Sequence, residues 1–179
     1  SNAVLGVLRQ TTFPWPVDDN QVIVPTIFIQ CSAEEDMGGR SKSNTGQVDL
    51  IVDRIIPLLT TPNEATNPAD LKITVLSPYN KQITELRSRL PSMATASTID
   101  AFQGRESDII IFSSVRCNAE ADIGFVDDAR RLNVMWTRAR LAMIIVGDRR
   151  TLEVNTMWKR AVGACKEVML DETALANGG

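Results

Sequence analysis

The 179-residue sequence contains no histidine. That absence excludes a Ser-His-Asp or Cys-His nucleophile pair, an imidazole general base and any histidine-ligated metal site. Chemistry on this chain runs on carboxylates, Arg, Lys, hydroxyls, amides or backbone groups. Cysteine is scarce. Cys31, Cys117 and Cys165 lie far apart and form no C-x-x-C pair, which argues against a structural zinc site. An odd cysteine count with no signal peptide points to a reducing compartment, nucleus or cytoplasm. No apolar run reaches the roughly 18 residues that span a bilayer, so no membrane partner is expected. Neither a G-x-x-x-x-G-K-[S/T] loop nor a G-x-G-x-x-G fingerprint occurs. Without them the chain cannot cradle a nucleoside triphosphate in a backbone nest. Any nucleotide it touches is held by side chains, as half of a shared site.

What is present is ordinary for a folded domain: 44% hydrophobic and 23% charged residues, too apolar for a disordered chain. The length fits one compact domain. A net charge of -3 and a pI near 5.1 argue against a dedicated basic nucleic-acid module, while leaving room for a local basic patch. Ser1-Asn2-Ala3 reads as a tag-cleavage scar and hence as the mark of a cut-out fragment. Residues 4–24 read as a lead-in, 25–170 as the domain and 171–179 as a flexible tail.

Apolar periodicity alternates between strands and helices. Val22–Cys31 reads as a strand after the Pro14-Trp15-Pro16 approach. Val48, Ile51, Val52, Ile55 and Leu59 recur at helical spacing, with Asn44 or Thr45 as N-cap and Pro57 placed to kink or shorten the helix. Residues 61–70 read as a surface loop. Lys72–Ser77 reads as a strand stopped by Pro78, and a helix with Ile83, Leu86 and Leu90 on one side follows. Strands are predicted over Ala94–Ile99, Asp108–Val115 and Leu141–Gly147, and helices over Arg130–Arg140 and Trp158–Val168. The pattern predicts an α/β fold with a mostly parallel sheet and helices on both faces. Such sheets bind ligands beyond the carboxyl ends of their strands, and the three motifs below are expected there.

In the first, Ser97 and Thr98 end a strand and a polar loop follows, with Gly104 permitting an unusual backbone angle or a close ligand approach. Gln103 and Glu106 suit a ribose hydroxyl, a water or a neighbouring Arg; the alternative is a loop held by its own hydrogen bonds. The second runs from Asp127 to Arg140. Asp127 or Asp128 can cap a helix on which Arg131 and Arg138 share a face, aiming an Arg at a phosphate. The alternative is a salt-bridged surface helix. In the third, Ser77, Pro78 and Tyr79 mark a strand-to-helix turn, where a hydroxyl, amides and an aromatic ring can hold a phosphate and stack on a base. The alternative is a simple helix start.

In this order the segments VLSPYNKQ, STIDAFQGRESDIIIFSSVR and GFVDDARRLNVMWTRARLAMIIVGD resemble motifs IV, V and VI of the second RecA-like domain of superfamily 1 helicases. The group is the one that includes the nonsense-mediated-decay and tRNA-splicing-effector helicases. SKSNTGQVDLI resembles the short segment upstream of motif IV in that group, and FPWP its domain start. The resemblance covers roughly Phe13 to Lys166. It implies a three-layer RecA-like domain of the P-loop NTPase type, lacking its own phosphate loop. It also implies ATP and Mg²⁺ held mainly by a first RecA-like domain of the same chain, and single-stranded RNA or DNA as partner. Arg138 matches the arginine finger that reaches the γ-phosphate. Gln103, Gly104 and Glu106 match positions near the nucleotide, and Arg131 matches a motif VI position that makes it a further candidate there, with packing or interdomain pairing as its alternative. Ser77, Pro78, Tyr79, Ser97 and Thr98 fall at positions that face the nucleic-acid backbone. The family usually reads Asn-x-x-Glu where this chain has Asn44 and Gln47, so the resemblance puts Gln47 at the nucleotide seam without the usual charge, and Trp136 stands where a smaller residue is usual.

The leading expectation is one half of an ATP-dependent motor, monomeric and inactive when isolated. The alternative is a diverged, catalytically silent interaction module, favoured only by Gln47 and Trp136. A metal-dependent nuclease or hydrolase built on Asp122, Asp127 and Asp128 is less economical than helix capping.

Overall fold

The computed structural model describes residues 5–61, 71–124 and 129–170. The expected tag scar, most of the 61–70 loop, Asp127 and Asp128 as caps, and the tail from 171 lie outside them.

Six strands form one sheet in the order β3-β2-β4-β5-β1-β6. They are β1 Thr26–Gln30, β2 Ile73–Ser77, β3 Ala94–Thr98, β4 Ser107–Ser113, β5 Ala139–Gly147 and β6 Lys166–Glu167. Every pairing between them is parallel. The helices are α1 Thr45–Leu50, α2 Ile56–Thr60, α3 Asn80–Arg89, α4 Ala129–Trp136, α5 Arg149–Leu152 and α6 Thr156–Gly163.

The strands are apolar on both sides, so alternation divides their residues between two cores. Ile27, Ile29, Val75, Ile109, Ile111 and Ile144 meet Val48, Ile55 and Leu59 of the α1–α2 stretch and Ile83 and Leu86 of α3. Phe28, Leu76, Ile110, Phe112 and Ile145 meet Leu132 and Met135 of α4, Leu152 of α5 and Trp158 and Val162 of α6. Trp158 stacks on Phe112 with ring centroids 5.3 Å apart. Each large apolar side chain fully withdrawn from water contributes about 1.5–3 kcal/mol. Helices on two faces of a parallel sheet give the expected three-layer α/β architecture.

Asn44 is the N-cap of α1, its side chain accepting from Gln47 N. Pro57 has no N–H to donate and its ring crowds the preceding turn. The chain answers with a π-helical turn, Ile51–Ile55, in which Ile56 N reaches back to Ile51 O, and Pro57 sits in the first turn of α2. The lead-in joins the first core through Leu8, Phe13 and Ile23.

Three element expectations change. The first strand starts at Thr26, not Val22, because Ile23 instead makes an antiparallel bridge to Val17. The helix expected over Arg130–Arg140 ends at Trp136, where Thr137 Oγ1 donates to Val134 O and Arg138 N to Met135 O. Ala139 is already committed to β5 opposite Ser107, so the chain must leave the helix there. The helix expected over Trp158–Val168 ends at Gly163, and Lys166 and Glu167 add an edge strand beside Ile27 and Phe28.

Candidate functional site

The fold separates the motif residues between two edges of the sheet. At the carboxyl edge, β2 ends in Ser77 and β3 in Thr98, paired in register. At the amino edge, Ser107 and Ala139 open β4 and β5 opposite each other. Arg138 and Glu106 immediately precede these strands. They therefore stand at the amino edge and not at the carboxyl edge expected for all the motifs.

At the amino edge Arg138 is fixed through its backbone: its N donates to Met135 O at 3.2 Å, and its carbonyl accepts from Ser107 N at 3.1 Å. Its Nε is buried and has no hydrogen-bond partner among the described residues. A buried donor left unpaired costs about 1–3 kcal/mol, more for a charged group. Next to it the β4–β5 register shifts, with Asp108 facing the two-residue step Arg140–Leu141. Arg140 Nε lies 3.8 Å from carboxylate oxygens of both Glu106 and Asp108. Gln103 and Gly104 are exposed on the loop leading to Glu106, and Gly104 has φ +78°, the left-handed angle that glycine tolerates. Since α4 ends before Arg138, Arg131 and Arg138 do not share one helical face. Arg131 Nη2 instead donates to Asp100 Oδ2 at 3.0 Å.

At the carboxyl edge the expected strand-facing residues divide. Pro78 and Thr98 are partly exposed, Ser97 is nearly buried, and Ser77 and Tyr79 are buried. Tyr79 Oη accepts from Arg116 Nη1 at 3.2 Å, which turns the ring into the second core, away from any stacked base. Arg116 donates from Nε to Glu35 at 3.1 Å and from Nη2 to Asp122 at 3.3 Å. Burial works to lower the Arg116 pKa, but its hydrogen bonds to Tyr79 and Glu35 outweigh that and raise it. Asp122 is lowered, first by Gly124 N and then by Arg116. Asp122 is thus engaged by Arg116 and Gly124 N, and no group of three or more acidic or cysteine side chains able to hold a metal occurs among the described residues.

Gln47, expected at the nucleotide seam, lies instead inside the domain. Its Oε1 accepts from Ser113 Oγ at 2.7 Å and Val115 N at 2.9 Å, while its Nε2 is unpaired among the described residues. Asn44 Nδ2 donates to Val115 O at 2.9 Å. Together they clamp both backbone groups of Val115, a β-branched residue at φ +67° and therefore strained. Gln82 of α3 closes the network, bonding Asn44 and Ser113. Trp136 is partly buried against the second core.

Sequence reasoning missed Arg116, Glu35, Gln82 and Asp100. The signal for the first two was position: SSVR and CSAEE both follow strand ends, which a parallel sheet gathers at one edge. A cation drawn in there needs a carboxylate.

Comparison with known proteins agrees with the motifs. The chain is 32% identical over 176 residues to the regulator of nonsense transcripts 1 of Dictyostelium discoideum, an alignment covering 94% of this chain and 13% of that protein. It is 33% identical over 180 residues to the ATP-dependent helicase NAM7 of Saccharomyces cerevisiae, covering 91% and 18%. It is also 34% identical over 148 residues to the DNA polymerase alpha-associated DNA helicase A of the same yeast, covering 76% and 21%. The chain thus spans about a fifth or less of these relatives' lengths. A solved C-terminal domain of a possible DNA helicase from Lactobacillus plantarum WCFS1 shares a loose likeness of shape, with TM-score 0.47 and 12% identity over 96% of this chain and 98% of that one. A family model described as AAA domain, AAA_12, matches residues 7–150. The chain belongs to that family, and its likeness is to the superfamily 1 helicases of the nonsense-mediated-decay group.

Proposed function

We propose that this chain is the C-terminal motor domain of an ATP-dependent superfamily 1 helicase acting on single-stranded RNA or DNA. Arg138 is its arginine finger, offered to a γ-phosphate held with Mg²⁺ by a first RecA-like domain of the same chain. The observation that carries the reading is the Arg138 guanidinium. Its backbone is hydrogen-bonded on both sides, while its buried Nε lacks an acceptor among the described residues. A fork held this way meets a phosphate oxygen through its outer nitrogens, and its permanent charge stabilises the charge that develops there. Gln103, Gly104 and Glu106 line the same edge, and Glu106 helps to orient Arg140. Nothing in the sequence forms a phosphate loop, so ATP and Mg²⁺ fit this chain only as a shared site completed by another domain.

The strand runs across the carboxyl edge, past Pro78, Ser97 and Thr98. Ser77 and Tyr79 shape that edge from beneath. Gln47 acts within the domain and Trp136 packs on its core, so neither departure disturbs the phosphate-facing edge, and the silent-module reading gains nothing from them. The isolated domain is a monomer without turnover, and the whole protein works in nucleus or cytoplasm. No helix among the described residues is long and apolar enough to cross a membrane.

The test is single-turnover ATP hydrolysis by the full-length protein with a single-stranded oligonucleotide. Arg138→Ala is expected to slow it about 10³-fold or more. Hydrolysis at the unmodified rate in that variant, or hydrolysis by the isolated chain that Arg138→Ala abolishes, overturns the reading.

A further inference from the structure

The connection between β3 and β4, residues 99–106, crosses the domain. It leaves the carboxyl edge beside Ser97 and Thr98 and arrives at the amino edge at Ser107. On the way it buries Ile99 and Phe102 in the core that holds Leu132 and Met135 of α4. Helix α4 makes the same crossing, from the end of β4 to the start of β5, and delivers the chain to Arg138. Two polar ties fasten these neighbours, one along the helix and one at its exit. Arg131 Nη2 donates to Asp100 Oδ2 at 3.0 Å, and Ser107 N donates to Arg138 O at 3.1 Å. A shift at the end of β3 therefore has a bonded route to the backbone of Arg138.

We infer that Asp100 is a positioning residue: through Arg131 it ties the strand-facing loop to the helix that sets Arg138, so that strand binding at one edge governs the arginine at the other. The inference rests on the motor reading above. The pair is accessible, with side chains 61% and 38% exposed. Exposed ion pairs contribute little to folding, so breaking this one leaves the domain intact and acts through position. Coupling of this kind is a free energy between two sites, and a pairwise cycle measures it.

The experiment uses the full-length protein, ATP and a single-stranded oligo(dT) or oligo(U). ATP turnover is measured with and without the strand, and strand affinity separately. Asp100→Asn is expected to keep its strand affinity and to lose about 5-fold or more of the strand-induced stimulation. Arg131→Gln is expected to lose stimulation as well. The reversed pair, Asp100→Arg with Arg131→Asp, is expected to recover most of it. Full stimulation in the single variants, a reversed pair no better than the product of the singles, or strand affinity falling in step with stimulation overturns the tie. Arg138→Ala is run in parallel. If it turns over normally, the motor reading fails. If it is silent while the Asp100 and Arg131 variants are unaffected, the tie alone fails.

Discussion

Arg116, 8% exposed, is held between Glu35 and Tyr79 while Asp122 meets it from the solvent side. Glu35 also accepts from Cys117 N and Asn118 Nδ2, so its carboxylate fixes three consecutive residues. Breaking a buried pair strands the remaining charge, at about 3–5 kcal/mol, whereas an exposed partner is worth about 0–1 kcal/mol. Urea unfolding should therefore show Glu35→Leu destabilised by about 3–5 kcal/mol and Asp122→Asn by no more than about 1 kcal/mol. Asp148 gives a pH-dependent counterpart. Burial works to raise its carboxyl, but hydrogen bonds from Thr151 and Gln30 outweigh it and hold it below the ordinary range. A lowered carboxyl contributes stability that is complete above its unfolded pKa, about 3.9, and is lost as pH falls through its folded value. The stability advantage of the unmodified chain over Asp148→Asn, which keeps a competent cap, should be greatest near neutrality and shrink below about pH 4.

At the scale of elements, α1 approaches the chain leaving β1 so closely that a Cβ on Gly46 would collide with the Ala33 Cβ. Gly46→Ala should cost about 1–3 kcal/mol through overpacking. Ala33→Gly in the same chain should return part of it, which thermal melts of the two single variants and the double variant will show. This contact was not legible in the sequence, because it depends on two elements meeting. The cap at Asn44 was legible, since a side-chain oxygen just ahead of an apolar period is a local signal. Pro57 was legible as a disturbance, though not as the π-helical turn that absorbs it. The end of α4 was misread because its helical period runs on through Arg138. Only the demand of β5, which pairs Ala139 with Ser107, cuts it short. That single tertiary constraint moved Arg138 from a helix face to the mouth of a strand.

For the whole molecule, the parallel sheet was legible because buried strands such as DIIIFSSV and LAMIIVG cannot sit at a solvent-facing sheet. The distribution of the motifs between two edges was not, because sequence order does not say which end of a strand a motif borders once loops cross the domain. The inward turn of Tyr79 was hidden for the same reason: its partner Arg116 arrives from another strand. The thiols report on the integrity of the packed whole. Burial pushes Cys117 up to about 11, with Asp148 adding to it, and Cys165 up to about 12. At pH 8 their thiolate fractions fall to about one part in a thousand or less. The folded domain should thus resist iodoacetamide at both positions, and urea should release them together, as peptide mass mapping will reveal. The sheet itself also has a mechanical meaning. Strand β4, Ser107–Ser113, separates the two edges by roughly 20 Å at about 3.3 Å per residue, and its close-packed faces do not yield. Thr98 and Arg138 therefore sit at opposite ends of a stiff lever. A rotation of about 10° around the carboxyl edge sweeps Arg138 through about 3.5 Å, more than the length of a hydrogen bond to a phosphate oxygen.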